Sequence, residues 1–164
     1  MIQKRPNIEI RRLQNQAEAE FCAGLMSGLD PWVKLKRDYE SSLKIITDPA
    51  REVYLALIGE DIAGFIILVM HGALVGYIQS ICVAPDWRNQ GIGTQLMEFA
   101  ESRVFSDSPN TFIMVSSFNS DAKRLYNRLG FEMIGELKDY IIPGHSEYLL
   151  RKSLAPLTEF KPKS

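Results

Sequence analysis

A chain of 164 residues, 46% hydrophobic and 24% charged, is long enough to bury a core without disulfide or metal staples and leaves little room for a second domain. A formal net charge of -1 and a sequence pI near 6.1 exclude a chain-wide pull toward nucleic acid or an anionic membrane, so any phosphate recognition must be local. The only two cysteines, Cys22 and Cys82, lie far apart among apolar neighbours, which predicts reduced core thiols; the N-terminus has basic residues but no apolar run of secretory length, and a cytoplasmic protein is expected.

In chain order, Asn7–Leu13 alternates as a first strand with Ile8 and Ile10 on one face. From Asn15 onward, Ala19, Cys22, Ala23 and Met26 recur at helical spacing until Gly28, predicting a first helix. Asp30-Pro31-Trp32 carries a start signal, Asp as N-cap and Pro at the first position, and predicts a second helix from there through Ile46. Its Lys34, Lys36 and Arg37 read either as a solvated face or as an attractor for an acidic substrate. Trp32, a large aromatic beside a turn, either plugs the core or walls a pocket.

Glu52–Ile58, Ile62–Met70 and Leu74–Ala84 read as three strands joined by short turns, hence antiparallel. No Asp, Glu, Lys or Arg lies between Asp61 and Asp86, a run long enough to span a bilayer. His71-Gly72, Gly76 and the β-branched content predict two buried strands and a turn instead. After Pro85, Ile92, Leu96, Phe99, Ala100 and Val104 trace one face of a long helix. Thr111–Ser116 is a strand, Asn119–Leu129 a short helix closed by Gly130, and Phe131–Leu137 and Ser146–Lys152 two further strands. The last residues, 155–164, are expected to be a poorly ordered tail behind a single domain over residues 1–154.

Two constellations carry chemistry. Arg88-x-x-Gly91-x-Gly93 sits where a polar turn meets a helix start, and unpaired N–H groups, a positive dipole end and glycines that admit a close approach suit a pyrophosphate. Two glycines beside a helix also make a simple turn, and neither a Walker lysine nor dinucleotide spacing is present. The second constellation is Asn119, Ala122, Lys123 and Tyr126 on one face of the short helix, where Asn119 doubles as an N-cap and Tyr126 as a core tyrosine.

In combination, V-x-P-x-x-R-x-x-G-x-G followed by N-x6-Y-x3-G-F resembles the GNAT superfamily of acyl-CoA-dependent N-acetyltransferases. VAPDWRNQGIG, NSDAKRLYNRLGFE and DYIIPGHSEYLLRK look most like the branch that acetylates protein N-terminal amines, including ribosomal-protein alanine acetyltransferases. The resemblance implies an α/β fold with a mixed, mostly antiparallel central sheet flanked by helices and splayed between two central strands. It implies acetyl-CoA as cosubstrate and direct attack by a primary amine, on a peptide N-terminus or a small molecule.

By the same resemblance, Ile81, Cys82 and Val83 would pair with the pantetheine arm, and Arg88, Asn89, Gln90, Gly91, Ile92, Gly93 and Thr94 would hold the pyrophosphate. Asn119 and Ala122 would contact the coenzyme, and Tyr126 would stand beside the thioester sulfur as the catalytic group. Trp32 and Tyr140 would shape the acceptor pocket. No metal, nucleic acid or membrane is implied; a homodimer through an exposed edge strand near the C-terminus is plausible. The chain departs from the branch at Met114, where a glutamate is usual, and Gln79 supplies no carboxylate either. Asp139, His145 or Glu147 could serve as a proton relay, or a low-pKa amine could need none. The missing carboxylate keeps a second reading open, a catalytically silent acyl-CoA-binding module, and a plain nucleotide-binding domain is a third.

Overall fold

The computed structural model describes residues 4–163. Its elements run β1 (Glu9–Arg12), α1 (Gln16–Gly28), α2 (Tyr39–Ile46), β2 (Glu52–Ile58), β3 (Asp61–Val69), β4 (Tyr77–Val83), α3 (Ile92–Phe105), β5 (Asn110–Ser116), α4 (Ser120–Arg128), β6 (Glu132–Lys138) and β7 (Ser146–Ser153). The strands form a seven-stranded sheet in the order β1-β2-β3-β4-β5-β7-β6. Pairs β1–β2, β2–β3, β5–β7 and β6–β7 are antiparallel, and β4–β5 is parallel. This is the mixed, mostly antiparallel sheet that the sequence leads one to expect. The β4–β5 ladder pairs Tyr77↔Phe112 and Ile78↔Ile113, at the start of β4.

Contacts divide the chain into two compact units. The first reaches to Leu68 and takes in Ser80–Ala100; the second comprises Val69–Gln79 and the chain from Glu101 onward.

In the first unit, α1 starts where the Asn15 side chain accepts the Glu18 N–H at 3.0 Å, while Glu18 in turn accepts the Gln14 N–H at 2.8 Å. This is the reciprocal satisfaction of orphan donors that fixes a helix start. Ala19, Cys22, Ala23 and Met26 are buried against Val53, Leu55 and Leu57 of β2 and Phe65 and Ile67 of β3. Cys82 joins the same cluster, and both cysteines are free thiols.

The second helix begins later than its strongest local signal. Residues 31–36 form turns, the Asp30–Pro31 peptide is cis, and Lys36 takes a left-handed φ of 57° that a helix cannot contain. Asp38 is the cap in its place, accepting the Ser41 N–H at 2.8 Å. Within the turns, Arg37 N–H reaches Trp32 O at 3.0 Å, and Trp32 is drawn into the core cluster.

In the second unit, β5 and β7 pair in continuous register from Asn110↔Ser153 to Ser116↔Glu147. β6 is the outer strand of the order and leaves Met133 and Ile134 exposed at a register shift between Met133 and Gly135. The tail is more structured than its composition suggests: Leu157–Glu159 form a 3-10 turn, and Lys163 N–H reaches Ser106 O at 3.2 Å. The uncharged run resolves into β3 and β4, and no helix among the described residues is long and apolar enough to cross a membrane.

Candidate active site

In the first unit, the chain leaves β4 through an Ala84 N–H bond to Ala63 O at 2.8 Å, then makes one 3-10 turn at Pro85–Trp87. Pro85 explains the stop, since it has no N–H to continue a ladder. Asn89 (φ 60°) and Gly91 (φ 79°) both adopt left-handed backbone, which swings the chain into α3. Asparagine and glycine are the residues that take this conformation most readily. Ile92 is fully buried and pins the helix start. The first four N–H groups of a helix have no acceptor within it. α3 has no acidic residue in its first turn, whereas α1, α2 and α4 carry Glu18, Glu40 and Asp121 there. A helix N-terminus free of carboxylates, approached through a left-handed turn, is suited to an anion.

Arg88 is exposed, and its Nε donates to Val83 O over a long 3.4 Å. Gln90 similarly leans on Asp86 O at 3.4 Å. A second cation beside this loop is invisible in the motif: the Arg5 side chain would lie 3.6 Å from a Cβ at Gly91, and its guanidinium pairs with Glu98 of α3 at 3.5 Å. The Lys4-Arg5 dipeptide was the only hint of it.

β4 itself is half-buried at Ile81 and Val83 and buried at Cys82. Burial pushes the Cys82 thiol up to about 12, and Cys22 equally, so neither is a thiolate nucleophile near neutral pH.

In the second unit, Asn119 caps α4 by accepting the Ala122 N–H at 3.3 Å, so its simplest structural role is filled. Lys123 Nζ donates to Ser117 O at 2.8 Å and sits 5.3 Å from the centre of the Tyr148 ring. Tyr126 is 5% exposed and packs its ring 6.1 Å from that of Phe131. Burial raises its hydroxyl well above the ordinary phenol value, which keeps it a protonated donor. Gly130 (φ 90°) ends the helix, and Phe131 N–H returns to Tyr126 O at 3.0 Å, fixing the tyrosine's backbone.

The residues proposed for an acceptor differ in setting. Trp32 is 8% exposed inside the first unit's core cluster, whereas Tyr140 is 59% exposed on the loop between β6 and β7. Met114 is half-buried on β5 and has no proton to exchange. Asp139 is exposed and accepts the Gly144 N–H at 2.7 Å, and exposed His145 sets its ring edge-on to Phe118 at 5.2 Å. Glu147, by contrast, is buried against Ser116, a partner that no local pattern announced.

Residues 13–131 match the family model described as Acetyltransferase (GNAT) family. An N-alpha-acetyltransferase of Saccharolobus solfataricus is 31% identical over 81 residues, which make up 48% of this chain and 48% of that protein, so the chain spans about half the length of this curated relative. Among solved structures, a GNAT-family acetyltransferase of Desulfovibrio desulfuricans superposes with a TM-score of 0.77 at 19% identity, covering 91% of this chain and 100% of that one. The spermidine N-acetyltransferase of Vibrio cholerae, solved with CoA and spermine, gives 0.70 at 16% identity, covering 89% and 95%. At these identities the structural likeness is one of fold. With the family model spanning the β4 turn, α3 and α4 together, the chain belongs to the acetyltransferase (GNAT) family.

Proposed function

We propose that this chain is an acetyl-CoA-dependent N-acetyltransferase that passes an acetyl group by direct attack to a primary amine, either a peptide N-terminus or a small-molecule amine. The observation that carries this reading is the acid-free start of α3 delivered by two left-handed residues, Asn89 and Gly91. In it, residues 88–94 hold the pyrophosphate through backbone N–H groups and the Arg88 charge. Ile81, Cys82 and Val83 receive the pantetheine arm as an added strand would be received, with Asn119 and Ala122 contacting the same coenzyme.

In this reading Tyr126 would act on the leaving sulfur. Expulsion of the thiolate is the step that benefits from a nearby O–H, and a hydroxyl held protonated by burial supplies a hydrogen bond there. Cys82 takes no covalent part, since its thiol is protonated and buried. Trp32 and Tyr140 would bound the amine. The competing reading, a silent acyl-CoA-binding module, draws on Met114, which offers no base.

Thiol release from acetyl-CoA across a panel of polyamines, other small amines and short peptides separates the two. The expected result is sustained release with at least one acceptor, and Tyr126→Phe lowering kcat by about 10²-fold while the acetyl-CoA KM moves by less than about threefold. Acetyl-CoA that raises the melting temperature without any release across the panel would favour the silent module. No saturable stabilisation by acetyl-CoA would refute both.

A further inference from the structure

Glu147 is the only charged side chain buried among the described residues, at 4% exposure. Taking a carboxylate out of water is costly unless it is paired or neutralised. No cation pairs with it among the described residues; its partner is the Ser116 hydroxyl, which donates to Oε1 at 2.6 Å and is itself 3% exposed. A lone buried carboxylate held by a single neutral donor is a candidate for a working site.

Its surroundings tie it to the helix of Tyr126. Ser116 ends β5 and pairs with Glu147 near the start of β7. One residue on, Ser117 N–H donates to Ser146 O at 2.9 Å, and Ser146 N–H donates to Ser117 Oγ at 3.2 Å. Lys123 of α4 closes the junction on Ser117 O at 2.8 Å. Glu147, the end of β5 and the start of α4 are thus stitched into one hydrogen-bonded junction, with no loop between the carboxylate and its anchor.

We propose that Glu147 is the proton acceptor for the incoming amine, with the Ser116 hydroxyl as its positioning partner. The inference rests on the transferase reading above. The substrate ammonium gives one proton to the Glu147 carboxylate, leaving a lone pair on nitrogen. Nitrogen then bonds to the acetyl carbon, the C–S bond breaks, and the nitrogen's surplus proton ends on the coenzyme sulfur. The Glu147 proton leaves to solvent as the products depart.

Burial raises the Glu147 carboxyl above the ordinary carboxylate value, and the Ser116 hydroxyl bond partly offsets the rise. A raised value makes the carboxylate a better base for an ammonium. The groups around it are engaged as follows. On β5, Phe112 and Met114 share its face, and on β6 Leu137 stands opposite. Arg151, on the same face of β7, is at the far end, beside Glu132 of β6. His145 is turned to Phe118, Asp139 to Gly144 N, and Lys123 to Ser117 O.

The test is the pH dependence of kcat/KM for the full chain with acetyl-CoA and whichever amine supports turnover. Glu147→Gln should lower kcat about 10²-fold and abolish the acid limb of the profile, with acetyl-CoA stabilisation of the melting temperature unchanged. Ser116→Ala should lower kcat less than Glu147→Gln does and move the acid limb to higher pH, because the bond that favours the ionised form is gone; Glu147→Asp should restore a limb. The Ser116→Ala shift decides the matter if Glu147→Gln fails to fold. Wild-type kcat and an unmoved limb in these variants would overturn the inference alone. No turnover by the wild type with any amine would overturn the transferase reading and this inference with it.

Discussion

Gly64 sits in the middle of β3, and an added methyl there is a sharp probe of how β4 is held. A Cβ at this position would lie 2.5 Å from Cys82 O, 3.3 Å from Val83 Cα and 3.4 Å from Leu96 Cδ1. The first two are backbone atoms, which cannot rotate aside. An ordinary carbon–oxygen contact is about 3.3–3.6 Å, so Gly64→Ala must drive β3 and β4 apart by nearly an ångström at Cys82. Overpacking of this kind costs about 1–3 kcal/mol, and the lost freedom of the unfolded glycine returns about 0.4–1 kcal/mol.

The difference is a net loss of about 0–2.6 kcal/mol, and each kcal/mol lost in a chain of this size lowers the melting temperature by roughly 2–4 °C. The displaced segment is also the one proposed to pair with the pantetheine arm, so acetyl-CoA should bind more weakly. Gly24→Ala is the control: Gly24 lies within α1, a Cβ there meets nothing within 4 Å, and alanine should stabilise the helix by about 1 kcal/mol. Thermal melting with and without acetyl-CoA reads both variants. Gly64→Ala that melts at or above the wild-type temperature, with wild-type coenzyme affinity, would refute the close approach.

Two further outcomes follow from the charges and thiols of the first unit. Cys22 and Cys82, buried with thiols pushed up to about 12, should resist alkylation at pH 8 in the folded chain and react fully once it is unfolded in urea; a fast-reacting thiol in the native protein would contradict their burial. Glu18 is held below the ordinary carboxylate value, first by its hydrogen bond from Arg11 at 2.7 Å. A depressed folded value means that its stabilisation is present above the unfolded value and lost as pH falls toward the folded one. Glu18→Gln should therefore melt below the wild type at pH 7 and converge with it in acid. A constant gap down to pH 3 would count against the Arg11 pairing.

What the sequence discloses and what it hides differ by the range of the interaction. The start of α1 was legible because Asn15 and Glu18 act within one turn, and the buried face Ala19, Cys22, Ala23 and Met26 repeats at the helix period. The turn at Arg88–Gly93 was legible for the same reason, since Pro85, Asn89 and Gly91 each constrain their own backbone. The start of α2 was misplaced by an equally local rule: Asp30-Pro31 is a sound helix signal. Asp38 offers a competing cap, however, and burial of Trp32 with left-handed Lys36 favours a turn over the intervening residues.

The contacts that bear most on proton chemistry obey no local rule at all. Ser116 meets Glu147 across 31 positions of sequence, through the register of β5 on β7. A shift of that register by one residue would turn Glu147 to the opposite face and bring Tyr148 beside Ser116. Sequence alone therefore left Asp139, His145 and Glu147 as equals, three protonatable groups in one hairpin. The ladder separates them, because it buries one carboxylate beside a hydroxyl donor and leaves the other two groups exposed, Asp139 accepting the Gly144 N–H and His145 edge-on to Phe118. Met114 then loses much of its weight as a sign of silence. A side chain that needs only to reach the amine can enter the same sheet face from β7 as readily as from β5, since Met114 and Ser116 share a face on β5, and Ser116 and Glu147 are cross-strand partners.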